Sequence, residues 1–103
     1  MSQNKPQNDQ SQPEIRLTQT DSYRDSYANS VQVKMSVWDF QLIFGTMQQD
    51  APDHVNLNNF QGVYLSPQQA KALLNVLQQN VTQYENTFGS IKLEPHGPPG
   101  VVQ

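Results

Sequence analysis

Between Ser66 and Gly89 the apolar residues Ala70, Leu74, Leu77, Val81, Tyr84 and Phe88 recur at alternating spacings of four and three, with Leu73 widening the stripe. That period predicts one amphipathic helix whose apolar face must be buried. Ser66 suits an N-cap, Pro67 fits the first helical position, and Gln69 completes an S-x-x-Q capping box. Gly89, just past Phe88, can take the left-handed conformation that ends a helix without a Cβ clash. At about 1.5 Å per residue the helix is roughly 33 Å long. That is long for so small a domain, so Leu74, Leu77, Val81, Tyr84 and Phe88 are expected to meet another subunit.

Upstream, the period changes to two. Tyr27 to Met35 places Val31, Val33 and Met35 on one face and Gln32 and Lys34 on the other, as a half-buried antiparallel strand does. Ser36-Val37-Trp38-Asp39 carries Ser and Asp three apart, suited to a tight turn or one helical turn closed by side-chain hydrogen bonds. Phe40, Leu42 and Phe44 then alternate with Gln41 and Ile43 in a second strand, Phe40 to Met47, which should pair with the first as a hairpin. Gln48 to His54 reads as a polar loop. In Val55 to Leu65 the apolar phase shifts, which means either a turn at Asn58-Asn59 or one strand with a bulge near Gly62; the bulged strand is preferred. Ile91 to Leu93 is expected to add a short edge segment.

Composition sets the limits. The chain has 103 residues, of which 35% are hydrophobic, and a mean hydropathy of -0.71. The deficit lies at the ends: residues 1–22 form a polar leader and 94–103 a Pro/Gly tail, both expected to be disordered. Residues 23–93 remain as a single domain near the size at which one core is marginal and oligomerisation is a common remedy. The net charge is -3 with Lys and Arg dispersed, so no nucleic-acid footprint is expected. The absence of cysteine excludes disulfides, thiol nucleophiles and thiolate metal ligands. No apolar run approaches the roughly 20 residues of a membrane span and the leader has no signal-peptide pattern, so no membrane partner and a cytoplasmic location are expected.

Candidate chemistry is sparse. His54 and His96 lack a helical partner, and Asp50, Asp53 and His54 lack the ligand count of a calcium loop, so no metal or cofactor is expected. No nucleophile motif or Gly-rich phosphate loop occurs, and no catalytic residue is assigned. Trp38, in the hairpin connection, and Tyr64, out of phase with Val63 and Leu65, are the candidates for partner binding. The competing reading packs both into a second layer or an oligomer interface. Tyr27, Tyr84 and Phe88 are expected in the core, and Glu85 on an exposed helix face.

With these elements placed, short signatures fall in order: Tyr27-Ala28-Asn29, Ser36-x-x-Asp39-Phe40, Phe44-Gly45, Leu65-Ser66-Pro67 with Ala70-Lys71, and Tyr84-Glu85-x-x-Phe88-Gly89-x-Ile91. Their order and spacing resemble a family of small bacterial and archaeal proteins defined only as a domain of unknown function. The resemblance covers Tyr27 to Ile91, leaves out Gln48 to Phe60, and implies no activity, cofactor or catalytic residue. At the level of fold, strands followed by a long helix are also similar to SecB-like export chaperones, which bind unfolded chains on apolar surface.

The sequence thus predicts an α+β domain: an antiparallel sheet of three to four strands followed by one long C-terminal amphipathic helix, assembled at least as a homodimer. The expected function is a non-catalytic interaction module for a protein or peptide. The alternatives are a SecB-like holdase, and a small-molecule or metal-dependent enzyme with an intersubunit pocket. A binder requires an apolar groove or open strand edge, and an enzyme convergent polar groups with shifted pKa values.

Overall fold

The alternating segments form an antiparallel sheet, and the segment with helical period forms one helix. In a computed structural model, which describes residues 12–93 and 101–102, the elements run β1 (Ser30–Met35), β2 (Phe40–Ala51), β3 (His54–Leu65), α1 (Pro67–Phe88) and β4 (Val101–Val102). The sheet order is β3-β2-β1-β4, every pairing antiparallel. The expected disorder of residues 1–11, 94–100 and 103 falls outside the described residues. Residues 12–29 form no strand and turn once at Asp21 and Ser22, where Tyr23 N donates to Thr20 O at 3.0 Å; Val101 and Val102 lie against Gln32 and Val31.

β1 and β2 pair in an unbroken register from Ser30 opposite Gly45 to Met35 opposite Phe40. Their connection is fixed by Ser36. Its N–H donates to Asp39 O at 2.8 Å, its hydroxyl donates to Asp39 Oδ1 at 3.2 Å, and the same oxygen accepts from Trp38 N at 3.0 Å and Asp39 N at 3.2 Å. The connection is therefore a tight turn and has no helical turn in it.

β3 is one continuous strand, as preferred, and its bulge lies at Phe60. Phe44 faces Gln61 and Gly45 faces Asn59, so the ladder skips Phe60. The skipped residue inverts the alternation: Val63 and Leu65 share the face of Leu42 and Phe40, whereas Leu57 and Val55 join Met47 on the other. Gly45 is where the strands come closest. A Cβ there would lie 2.6 Å from Asn59 Oδ1 and 2.8 Å from Asn58 O.

The expected loop from Gln48 to His54 is not a loop. β2 continues to Ala51, and a two-residue turn at Pro52 and Asp53 closes the hairpin with Ala51 opposite His54. Polar residues pair as well as apolar ones once a tight turn sets the register, because the ladder is made of backbone groups. Asn56 also donates to Asp50, and Gln49 Nε2 to Pro52 O at 3.1 Å. Each arm has 12 residues, about 40 Å of strand.

The first strand begins at Ser30, three residues later than expected, and Asn29 completes its pairing by side chain. Asn29 N donates to Gly45 O at 3.1 Å, Asn29 Oδ1 accepts from Met47 N at 2.6 Å, and Asn29 Nδ2 donates to Met47 O at 3.1 Å. One amide thus takes the place of a strand residue opposite Met47. Replacing Asn29 with Ala removes both side-chain bonds and should cost about 1–2 kcal/mol. Hydrogen exchange at the Met47 amide checks this: protection should fall there first, and unchanged protection would show that the clamp carries no weight.

Both helix ends follow from sequence. Ser66 is the N-cap, its hydroxyl accepting from Gln69 N at 3.1 Å, and Pro67 opens the first turn. At the other end Gly89, at φ 113°, donates to Glu85 O at 3.0 Å, and Ile91 N donates to Glu85 Oε2 at 2.9 Å. Glu85 is therefore a helix-stop acceptor for its own chain and more than an exposed helix residue. With Ile91 N held there, residues 90–93 form no strand, and the β1 edge is met instead by β4.

Packing within one chain is incomplete. Among the described residues no hydrophobic side chain is buried; Ser30, opposite Gly45, is the buried polar residue. Tyr27, Tyr84 and Phe88, expected in a core, are exposed: Tyr27 lies ahead of β1 and outside the sheet, and one helix over one sheet face covers only part of the stripe that carries Tyr84 and Phe88.

Candidate interaction surface

The hairpin turn carries the most exposed aromatic group of the folded body. Ser36 and Asp39 turn their polar atoms inward on the turn, which leaves Val37 (84% exposed) and Trp38 (81% exposed) pointing to solvent beside Met35. Tyr64 is also exposed. It faces Gln41 across the β2–β3 pair, so it lies at the same end of the sheet as the turn and on the face away from Phe40, Leu42 and Leu65. Both partner-binding candidates thus lie on the surface of the chain.

A second feature lies under the helix. The N-terminal half of α1 stands over the sheet face of Val33, Phe40, Leu42 and Leu65, and Ala70 and Leu74 close an apolar cleft of about 340 Å³. Leu77 also lines this cleft, and beyond it the stripe continues through Val81, Tyr84 and Phe88; all four are exposed, and the Tyr84 and Phe88 rings lie 4.9 Å apart at 50°. Among the described residues none covers this row. Sequence reasoning identified the stripe but missed the cleft, whose sheet side was legible only in the alternation of β1 and β2.

Polar chemistry is thin by comparison. Among the described residues no group of three or more His, Cys, Asp or Glu side chains converges. The Tyr23 hydroxyl donates to Asp25 Oδ1 at 2.6 Å, and that bond raises the phenol above its ordinary value. The pair is local to the exposed leader. Asp50 and His54 lie at the far hairpin end, where Asp50 accepts from Asn56. No described helix is long and apolar enough to cross a membrane.

An antiparallel sheet followed by one C-terminal helix, with an exposed tip and an uncovered helix stripe, defines a small α+β domain. The chain belongs to the family of proteins of unknown function DUF3467, whose model matches residues 1–93. No curated protein and no solved structure matches it.

Proposed function

We propose that this chain is a non-catalytic, oligomeric interaction module that holds a protein or peptide partner at the β1–β2 tip, with Trp38 as the anchor and Tyr64 beside it. The observation that carries this reading is a fully presented indole on a turn whose backbone is fixed by the Ser36 and Asp39 hydrogen bonds. A preorganised aromatic loses little conformational entropy on binding, and large aromatics dominate interface energetics.

Trp38→Ala should weaken partner capture at least tenfold while circular dichroism and assembly stay unchanged, and Tyr64→Ala should weaken it less. The measurement compares the proteins that co-purify with wild type and with each variant from the native cell. Capture that survives both substitutions sinks the reading. So does collapse of the fold in both, since the rings would then be structural.

The apolar cleft favours a second reading, a SecB-like holdase that takes unfolded chains on apolar surface. Such an activity would suppress aggregation of unrelated denatured proteins and would be insensitive to Trp38→Ala. A turn-anchored module would show neither property.

A further inference from the structure

The uncovered stripe of α1 has a symmetry that specifies its occupant. We infer that a second copy of this chain covers it, the two helices running antiparallel about a two-fold axis midway between Leu77 and Val81. This rests on the reading of the chain as an oligomeric interaction module and supplies that module's assembly surface.

The spacing from Ala70 to Phe88 is four, three, four, three, four, which reads the same in both directions. An antiparallel pair therefore brings every position into a layer: Leu77 with the partner's Val81, Leu74 with the partner's Tyr84, Ala70 with the partner's Phe88. The smallest residue of the stripe opposes one of its two aromatic rings. Ala70 borders the apolar cleft, so the partner's Phe88 ring, 74% exposed in the single chain, would be seated at its mouth. A parallel pair would instead set Phe88 against Phe88 and Ala70 against Ala70, crowding one end and leaving a void at the other.

Charge selects the same direction. Lys71 and Glu85 are the only charged residues of α1. They stand two heptads apart, so they share one flank of the stripe. In an antiparallel pair each flank faces its own counterpart, which brings Lys71 opposite the partner's Glu85 at both ends of the contact. In a parallel pair each charge would instead lie level with its own copy. Flanking charges of this kind set partner orientation in helix pairs.

The stripe offers apolar area for such a contact: Leu74, Leu77, Tyr84 and Phe88 are each half or more exposed in the single chain.

The chain has no cysteine, so single nitroxide labels can be placed at Gln68 and, separately, at Gln79, both off the stripe. Intersubunit distances are then read by pulsed electron paramagnetic resonance on the full-length protein. In the antiparallel pair Gln79 lies level with its counterpart and should give about 20 Å, while Gln68 labels stand at opposite ends and should give about 40 Å. Lys71→Glu should raise the dimer dissociation constant several-fold, whereas Lys71→Arg, which keeps the charge, should leave it unchanged. Equal short distances at both labels would mean a parallel pair and overturn the proposal. A dimer with long distances at both would place the contact elsewhere and overturn it too, leaving the interaction-module reading standing. A folded monomer without dipolar coupling would refute the proposal and the oligomeric part of that reading, while capture through Trp38 is decided by its own co-purification.

Discussion

Replacing Leu77 and Val81 together with Asp will abolish assembly and, with it, the folded domain. Two carboxylates would enter the middle of an apolar stripe with no cation to meet them, at a cost on the order of several kcal/mol. A domain whose single chain buries no hydrophobic side chain among its described residues has little reserve against such a loss. Light scattering should show monomer, and circular dichroism should show loss of helix at temperatures where the wild type is folded. A double variant that assembles and melts like wild type would mean that the stripe stays wet in solution.

The second large effect is expected at Gly45, where the hairpin admits no side chain. Gly45→Val would drive its Cβ into Asn58 O and Asn59 Oδ1, which lie 2.8 and 2.6 Å from the ideal position. Asn59 can swing aside, but the backbone carbonyl can move only if the Phe60 bulge shifts. Overpacking of this kind costs about 1–3 kcal/mol, which lowers the melting temperature of a small domain by roughly 10 °C. A thermal scan that finds no drop would show the bulge to be pliable. The side-chain amide of Asn59, which donates to Gln32 Oε1 at 3.2 Å, should then change its environment by NMR.

The fold was largely legible because its local signals agree. Ser66-Pro67 and Gly89 bound the helix where the structure ends it, and the alternation of Val31, Val33 and Met35 against Phe40, Leu42 and Phe44 gave the first hairpin and its faces. Periodicity failed where no apolar residue reports it: Gln48, Gln49 and Ala51 pair in the ladder and Pro52 and Asp53 turn it, but the polar side chains of the segment imitate a loop. The bulge was visible as a phase change, though its position at Phe60 depends on Gly45, a residue on the opposite strand. Asn29 could not have been found at all by pattern, since its partner lies 18 residues away.

The residues that carry the family resemblance turn out to have structural tasks: Asn29 clamps a strand end, Ser36 and Asp39 fix a turn, Gly45 admits the bulge, Ser66 caps the helix, and Glu85 and Gly89 stop it. Such a signature preserves a shape and says little about chemistry. The surface was less legible for the same reason. Trp38 and Tyr64 stood out only by being out of phase, and a phase argument alone does not separate an exposed ring from one in a second layer.

The Asn29 clamp also sets how this protein ages. Asn29 precedes Ser30, and an asparagine followed by a small residue loses its amide when the next backbone nitrogen attacks the side-chain carbonyl. In the closed hairpin that carbonyl is held by Met47 N and the amide nitrogen by Met47 O, which restricts the rotation that the attack requires. Each local opening releases it. An aspartate formed at position 29 would present only acceptors, one of them against the Met47 carbonyl, and would be unable to close the hairpin again. The damage therefore leaves that strand end open. Peptide mapping after prolonged incubation should find position 29 converted faster than Asn80, whose amide donates to Val76 O within the helix, and fastest of all in the Gly45→Val variant.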